Sequence, residues 1–369
     1  MSAGYNKLLI MATNSKLILL ALSVICIVIG CGDSNTGSKN VFLKRYLLHG
    51  STYDNDIVMR PVGIFTIDSL LFIVSSGIHD NFGQIFNLNK NLEQVGVFGN
   101  IGQGPGEFLN PEPTFVGDDY FYMQNINACE IAKWGIYQTN GKIQASEISR
   151  LRFQRYDISG FGTESRRVSP LGDKNFVGSI CDPENGFFIL FDNNMDYIKN
   201  FGKPPILGNR ISALSYLRQL SGYLSVNGSS FVFVAKNIPY IACYHIEEGG
   251  DTFPTLKWED TYGKISYTVE NDRFNFSNKT IGRNIGVQNK DKYIYILNID
   301  APRDQLRLLY ESGVGAKTIL VFDHDGGRVA RFDIDYGLYD FWVSKDEKTI
   351  YGITQNPDYM VVKYDIPEL

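Results

Sequence analysis

The chain of 369 residues is poor in the residues that usually build metal and redox sites, with 4 His, 5 Cys and 3 Trp. So few His and Cys leave little material for a His-rich metal site or a disulfide framework. Basic residues are also too few for a general nucleic-acid binder, because the formal net charge is −5. What the chain does have is 22 Tyr and 24 Phe, which favour half-buried pleated surfaces and so predict an all-β protein.

Residues 1–30 have the layout of a secretory signal peptide. Lys7 and Lys16 precede an unbroken apolar run from Leu17 to Ile29, and no acidic residue occurs before Asp33. A basic region followed by an apolar run shorter than the ~20 residues of a membrane-spanning helix is typical of such a signal. The sequence does not decide between Met1 and Met11 as the true start.

The apolar run ends in Val28-Ile29-Gly30-Cys31, which resembles a bacterial lipobox. The resemblance implies cleavage before Cys31, lipidation of Cys31, and a polar tether over residues 31–40. A chance Gly-Cys after a plain signal peptide or anchor helix is the alternative.

The lipid predicts a membrane-attached protein of the cell envelope. Asp33 is the only acidic residue of the tether 31–40, so the tether lacks the acidic run associated with surface export in these bacteria, and we expect the periplasmic side of the outer membrane, with surface exposure as the alternative.

Removal of residues 1–30 changes both the charge and the cysteine count. It takes away two lysines and no acidic residue, so the formal charge goes from −5 to −7. Besides Cys31, the mature chain keeps Cys129, Cys181 and Cys243. An odd number of widely spaced thiols argues against a disulfide scaffold, and we expect three small core residues.

The remaining chain, residues 41–369, reads as a repeated unit of four short strands. Two alternating apolar segments joined by an Asn- or Asp-rich turn occur at 84–98, 188–201 and 318–334, and similar pairs, which would form the inner half of a unit, occur at 63–75, 224–235 and 341–353. Such units at a spacing of roughly 40–60 residues are the signature of a β-propeller. The units fall near 57–98, 112–148, 168–201, 220–258, 286–335 and 339–366. The pattern therefore predicts an all-β, six-bladed propeller with four-stranded antiparallel blades.

Two details of this propeller can also be predicted. The last unit has only three strands, which would leave a bare sheet edge, so we expect segment 41–48 to supply the missing strand and close the ring. Between the third and fourth units, residues 211–220 carry apolar side chains at three- and four-residue spacing. This spacing predicts a short helix that covers one face.

Several segments resemble a known family. The stretch 98–108 is similar to the blade-crossing segment of NHL-type propellers, and it predicts a structural turn at Gly102, Gly104, Pro105 and Gly106, where glycines permit positive φ and close backbone approach. Together with 293–297, 321–326 and 350–353, it resembles the TolB-like six-bladed propeller lipoproteins of Bacteroidetes. The resemblance implies a six-bladed fold and an envelope location. It implies no agreed activity and no catalytic residues.

The sequence contains only incomplete versions of known cofactor-binding and metal-binding motifs. The stretch 313–318 is similar to the end of a phosphate-binding loop but has Ala316 where glycine is required. Asp192, Asn194 and Asp196 match the start of an EF-hand, yet Tyr197 replaces the required glycine. We therefore assign no catalytic, cofactor-binding or metal-ligating residue.

Two functional hypotheses follow. The first is a non-catalytic binding or scaffold module for a protein or glycan partner, with loops of six blades converging on one axis. The alternative is a propeller enzyme, a lactonase, lyase or hydrolase acting at the central channel, with or without Ca²⁺. A cluster of acidic or His side chains converging at the channel mouth would favour the enzyme.

Overall fold

Strands of two to eleven residues follow one another along the chain, as the alternation of apolar and polar residues predicts. The computed structural model describes residues 41–53, 60–76, 80–104, 106–125, 128–139, 142–153, 166–206, 211–246, 253–311, 314–355 and 358–369. The described strands form a six-bladed β-propeller, which confirms the predicted fold class and blade number.

The first two strands, β1 (Lys44–Leu48) and β2 (Ser51–Tyr53), precede the first blade. Blade 1 contains β3 to β7: Pro61–Ile67, Leu70–Ser75, Asn81–Asn87, Glu93–Ile101 and Glu107–Phe108. Blade 2 contains β8 to β11: Pro111–Val116, Tyr120–Asn125, Glu130–Thr139 and Lys142–Arg152. Blade 3 contains β12 to β15: Arg166–Leu171, Asn175–Asp182, Gly186–Asp192 and Tyr197–Phe201.

The second half of the ring repeats this arrangement. Blade 4 contains β16 to β19: Gly222–Asn227, Ser230–Ala235, Tyr240–His245 and Thr255–Thr261. A separate hairpin follows, β20 (Tyr267–Glu270) and β21 (Arg273–Phe276). Blade 5 contains β22 to β25: Ile281–Asn289, Tyr293–Pro302, Ala316–Asp323 and Arg328–Leu338. Blade 6 contains β26 to β28: Asp340–Val343, Thr349–Gln355 and Tyr359–Asp365.

An N-terminal strand closes the ring, but the predicted segment 41–48 is not that strand. Strand β2 pairs antiparallel with β28 and gives blade 6 its fourth strand. Strand β1 runs parallel to β25 as a fifth strand of blade 5. The difference comes from packing, because Leu48 is buried in the core around blade 5 and the Tyr46 ring packs edge-on against Phe332 at 5.9 Å between centroids.

Aromatic side chains fill the space between blades. Phe121 of blade 2 is fully buried, with ring centroids 5.0 Å from Phe65 and 5.5 Å from Phe72 and Phe98 of blade 1. The Trp134 ring of blade 2 stacks on Phe121 at 6.2 Å between centroids. Such pairs add about 0.5–1.5 kcal/mol each to the burial of their apolar area. The excess of Phe and Tyr therefore holds neighbouring blades together.

The three predicted core thiols are buried as expected. Cys129 precedes β10, whereas Cys181 and Cys243 lie within β13 and β18. The three residues thus belong to three different blades, with no disulfide bond between them. Burial raises the pKa of the Cys243 thiol to about 11.

Insertions gather on the face where the inner strands of the blades begin, here called the strand-start face. The predicted helix is present as α1 (Ala213–Leu220), capped by Ser212, and a second helix, α2 (Arg303–Glu311), lies between β23 and β24. The Ser215 hydroxyl accepts a hydrogen bond from the Phe274 amide at 3.0 Å and so ties α1 to the β20–β21 hairpin. The Arg303 guanidinium lies 5.3 Å from the Phe276 ring centroid and ties α2 to the same hairpin.

Candidate functional site: the central channel

The first strand of each blade lines a central channel. These strands are β3, β8, β12, β16, β22 and β26, and they begin on the strand-start face. The channel has a narrow waist of about 90 Å³, with a wider cavity at each end. The cavity at the strand-start mouth is about 230 Å³, and the one at the opposite end, the strand-end mouth, is about 500 Å³. Both share lining residues with the waist, so the three cavities adjoin one another along the channel.

Two carboxylates and one guanidinium meet at the waist. Arg167 Nη2 lies 2.5 Å from Glu112 Oε1. A register shift between Arg166 and Ser169 interrupts the ladder of β12, and Arg167 has a φ of +54°. A β-bulge of this kind redirects a side chain, which here reaches the channel. The guanidinium also stacks over the Tyr223 ring at 4.4 Å from its centroid.

Asp340 is the second carboxylate of the waist. Its Oδ2 accepts a hydrogen bond from the Ile64 amide at 3.0 Å. Burial raises the pKa of Asp340 from its ordinary 3.8 to about 7, and the negative charge of Glu112 acts in the same direction. The two amides of Phe341 and Ile64 and the charge of Arg167 only partly oppose the effect of burial. Asp340 is therefore a group that changes charge near neutral pH.

This raised pKa predicts how the stability of the protein changes with pH. Between pH 4 and 7 the folded protein keeps a proton on Asp340 that the unfolded chain has released, so stability falls as pH rises through this window and the loss persists above pH 7. Asp340→Asn should be more stable than the wild type at pH 8, by about 2–4 kcal/mol, and equally stable at pH 4.

Urea unfolding of wild type and Asp340→Asn at pH 4, 6 and 8 measures this difference. The control is Asp196→Asn, because Asp196 is exposed on the β14–β15 turn. Its stability should follow the wild-type curve at every pH. Parallel curves for Asp340→Asn and the wild type between pH 4 and 8 would contradict the assignment.

Carboxylates surround the strand-end mouth. They are carried by the inner hairpin turns of blades 1, 2, 5 and 6, and we call Asp68, Asp118, Asp291 and Asp346 the acidic rim. Lys345 lies among them, with its Nζ 2.6 Å from Asp118 Oδ1. The charges of Asp118, Asp291 and Asp68 all raise the pKa of Lys345, so side chains of three other blades act on one ammonium group.

The members of the acidic rim differ in their hydrogen bonds. Asp346 accepts from the Ser344 hydroxyl at 2.6 Å and from the Lys348 amide at 3.2 Å, so it stabilises its own turn. Asp291 accepts from the Asn227 side chain at 3.0 Å. Asp68 is exposed and has a φ of +50°. The rim thus presents negative charge from several blades around one opening.

Inside the acidic rim, Lys290 lies on the indole of Trp342. Its Nζ is 3.4 Å from the ring centroid. Burial lowers the pKa of Lys290 from 10.5 to about 7, although the charges of Glu347 and Asp291 act in the opposite direction. The strand-end mouth therefore contains an aromatic surface and an amine that is partly uncharged at neutral pH.

The strand-start mouth has a different character. Arg167, Lys236 and Arg283 line it together with Asp340, beside the insertions of the strand-start face. The charge of Arg283 also acts on Arg303 of α2 and, together with burial, lowers its pKa. The two mouths of the channel thus carry opposite dominant charges.

The predicted structural turn lies away from the channel. Gly102, Gly104 and Gly106 lie between β6 and β7, at the end of blade 1 shortly before blade 2 begins, and Gly106 has a φ of +83°. The Glu107 carboxylate folds back and accepts a hydrogen bond from the Gly104 amide at 2.7 Å. A Cβ at Gly102 would overlap that carboxylate. Pro105 and Cys31 lie outside the described residues, so the lipidation of Cys31 stays a prediction.

The stretch that resembles the start of an EF-hand has the geometry of a hairpin turn, and the turn at Asp323 is built in the same way. Asp192 Oδ1 accepts from the amides of Asn194 and Asp196 at 2.8 and 2.9 Å. Asp323 Oδ1 accepts from the Asp325 and Gly327 amides in the same way. Within the described ranges, no three His, Cys, Asp or Glu side chains are close enough to hold a metal ion, and no helix is long and apolar enough to cross a membrane.

Sequence reasoning missed the residues of the channel. Lys290 and Asp340 carry no motif, and their pKa shifts depend on burial that arises only when the ring closes. A signal for the acidic rim was present, because Asp recurs in the turn between the first two strands of several repeats. Aligning the repeats by that turn would have placed Asp68, Asp118 and Asp291 at one mouth.

The sequence from residue 38 to 346 matches the family model described as TolB-like 6-blade propeller-like. The chain belongs to this family of TolB-like six-bladed propellers. The match confirms the TolB-like six-bladed part of the predicted resemblance and agrees with the six blades of the structure. The NHL-type likeness and the assignment to lipoproteins of Bacteroidetes stay predictions. No curated protein sequence matches the chain.

Solved structures with a similar fold share little sequence with this chain. The calcium-binding protein regucalcin from Agrobacterium tumefaciens is 11% identical over 88% of this chain and 95% of that one, with a TM-score of 0.46. A luciferin-regenerating enzyme is 9% identical over 83% and 91%, with a TM-score of 0.43. BamB from Moraxella catarrhalis is 9% identical over 82% and 71%, with a TM-score of 0.33.

Proposed function

We propose that this protein is a cell-envelope lipoprotein whose propeller is a non-catalytic binding module for a partner protein. A lipid on Cys31 would hold it at the outer membrane, on the periplasmic side. The observation that carries the binding role is the acidic rim, which places carboxylates from four blades around a cavity of about 500 Å³. Within the described residues no three of these carboxylates lie close enough to hold a metal ion, so the rim forms a charged surface and not the converging cluster that would favour the enzyme.

The charge of the acidic rim selects the chemistry of the partner. Four carboxylates face two lysines in this mouth, and one of those lysines has a pKa of about 7. The rim is therefore negative at neutral pH, and the mature chain with a formal charge of −7 adds to that field. Opposite charge across an interface speeds association and excludes like-charged partners. A basic segment of a partner protein fits this mouth.

A glycan partner has less support from the aromatic residues. Stacking on sugars needs aromatic faces gathered at one surface. Trp134, Tyr240 and Tyr244 are buried between blades, and Tyr137 is exposed on β10. Trp258 packs against Phe322. Trp342 lines the channel, and Lys290 lies on its ring.

Neutralising the rim tests the proposal. The triple variant Asp68→Asn, Asp118→Asn, Asp291→Asn removes three rim charges and spares Asp346, which stabilises its turn. The matched control is Asp196→Asn, Asp358→Asn, Asp365→Asn, which changes the net charge equally at exposed positions that do not line the channel. The readout is the amount of partner protein recovered after chemical cross-linking of intact cells.

We expect the rim variant to recover about tenfold less partner than the wild type. The loss of three ion pairs, worth about 0.5 kcal/mol each, weakens the binding free energy by about 1.5 kcal/mol, which is about tenfold in affinity. The control should recover the wild-type amount. Raising the ionic strength should weaken capture by the wild type, since exposed charges are screened. Equal recovery by the two triple variants would refute a role of the rim.

A further inference from the structure

Three positively charged side chains gather in the strand-start mouth. Arg167, Lys236 and Arg283 come from blades 3, 4 and 5 and line the same cavity of about 230 Å³. Asp340 is the one carboxylate among the described lining residues, and the Ile64 amide donates a hydrogen bond to it at 3.0 Å. The wall of this cavity therefore carries three positive charges and at most one negative charge.

The backbone places these three cations at the channel. The register of the β22–β23 ladder shifts just before Arg283, as that of the β12–β13 ladder does beside Arg167, and such bulges redirect side chains. Lys236 follows the last residue of β17. Its amide donates to the Ser221 carbonyl at 2.8 Å, and its carbonyl accepts from the Asn284 amide at 3.0 Å. The positions of the cations are thus set by the fold of three blades.

A fourth cation lies beside this mouth. Arg303 of α2 is close enough to Arg283 for the two positive charges to act on each other, and together with burial this lowers the pKa of Arg303. The Arg303 Nη2 donates to the Gln219 side chain of α1 at 3.3 Å. Like charges brought together repel each other, and a bound anion would relieve that repulsion. Positive charge from three blades and one insertion therefore favours an anion in the strand-start mouth.

Apolar side chains form much of the remaining wall. Val62, Ile285, Ile299 and Leu338 line the cavity beside the cations. An inorganic anion would leave this apolar surface in contact with water, whereas a hydrocarbon chain would cover it. A guanidinium also matches the planar shape of a carboxylate with two parallel N–H donors. The lining thus favours an organic acid over an inorganic anion.

We propose that the strand-start mouth binds a small organic carboxylate, with the charged end among Arg167, Lys236 and Arg283 and the hydrocarbon part against the apolar wall. Arg167 keeps its salt bridge with Glu112 in this arrangement, because the excess of positive charge in the cavity attracts the ligand. The site is separate from the acidic rim, which surrounds the opposite mouth, and the ligand binds whether or not a partner protein is present.

Titration calorimetry of the purified full-length protein with three ligands of equal chain length tests this site. Glutarate carries two negative charges, 1,5-pentanediol carries none, and 1,5-diaminopentane carries two positive charges. We expect saturable binding of glutarate alone, weakened by added salt because charges in an open mouth are screened. Inorganic phosphate should bind more weakly than glutarate. Glutarate binding no tighter than that of pentanediol would overturn the proposal, as would phosphate binding as tight as that of glutarate.

A double variant tests whether these cations hold the carboxylate. Lys236→Gln, Arg283→Gln removes two of the charges, and Lys90→Gln, Lys142→Gln is the matched control at exposed positions that do not line the channel. The first double variant should bind glutarate about tenfold more weakly than the wild type, because each lost charge contact is worth a factor of about three to five. Equal glutarate binding by the two double variants would refute the assignment.

The control and the rim variant should both bind glutarate like the wild type. Since the rim variant changes only the opposite mouth, the outcome for glutarate and the outcome for the partner protein are decided separately. The comparison of the three ligands uses the wild type, so it decides the question even where a double variant fails to fold.

Discussion

Replacing Cys31 with alanine is expected to abolish lipid attachment completely and to leave residues 1–30 on the chain. The proposed processing needs the thiol at this position as the atom that receives the lipid, and alanine has none. The apolar run from Leu17 to Ile29 would be unchanged, so the variant would still be directed to the membrane. Labelling of cells with an alkyne fatty acid, followed by mass spectrometry of the N-terminal peptide, measures both effects.

The matched control for this change is Cys26→Ala. Cys26 lies inside the same apolar run but does not follow the Val28-Ile29-Gly30 sequence. It should be labelled and processed like the wild type. A fatty-acid label that persists on Cys31→Ala, or a mature N-terminus other than residue 31, would show that the signal is not a lipoprotein signal.

Phe121→Ala is expected to destabilise the propeller by about 3–5 kcal/mol, the usual cost of truncating a buried Phe. Phe121 is fully buried and its ring contacts aromatic rings of both blade 1 and blade 2. The cavity left by alanine would lie between two blades that share no sheet hydrogen bonds at that point. Thermal unfolding of the purified protein measures the loss as a lower Tm.

Tyr137→Ala is the control for the loss of an aromatic ring. Tyr137 lies on β10 of the same blade, but 48% of its surface is exposed. Its replacement should change the stability by less than about 0.5 kcal/mol, as is usual for exposed positions. If Phe121→Ala and Tyr137→Ala lowered the Tm equally, aromatic packing between blades would not be what holds the ring together.

The blade pattern could be predicted because its information is local. Each hairpin is specified by alternating residues and a polar turn within one short stretch of the chain, as at 84–98, where Asn91 adopts a φ of +51°. The closing strand could not be assigned in the same way. Strands β1 and β2 are neighbours in sequence, and which blade each joins depends on distant contacts such as Leu48 with the core of blade 5.

The chemistry of the channel was beyond sequence reasoning for a related physical reason. The pKa shifts of Lys290 and Asp340 come first from burial, and that burial is produced by strands far apart in the chain. The salt bridge of Arg167 with Glu112 joins blades 3 and 2. The register shift that redirects Arg167 and the closed ring of blades that surrounds it produce no periodic pattern in the amino-acid sequence.

A photoreactive amino acid placed at position 345 tests most directly whether the strand-end mouth is the binding surface. Lys345 is exposed within the acidic rim, and Tyr137 on β10 is the comparison site away from the channel. After irradiation of intact cells, we predict one covalent adduct with a partner protein from position 345, and none from position 137. An adduct from position 137 with none from position 345 would contradict the account.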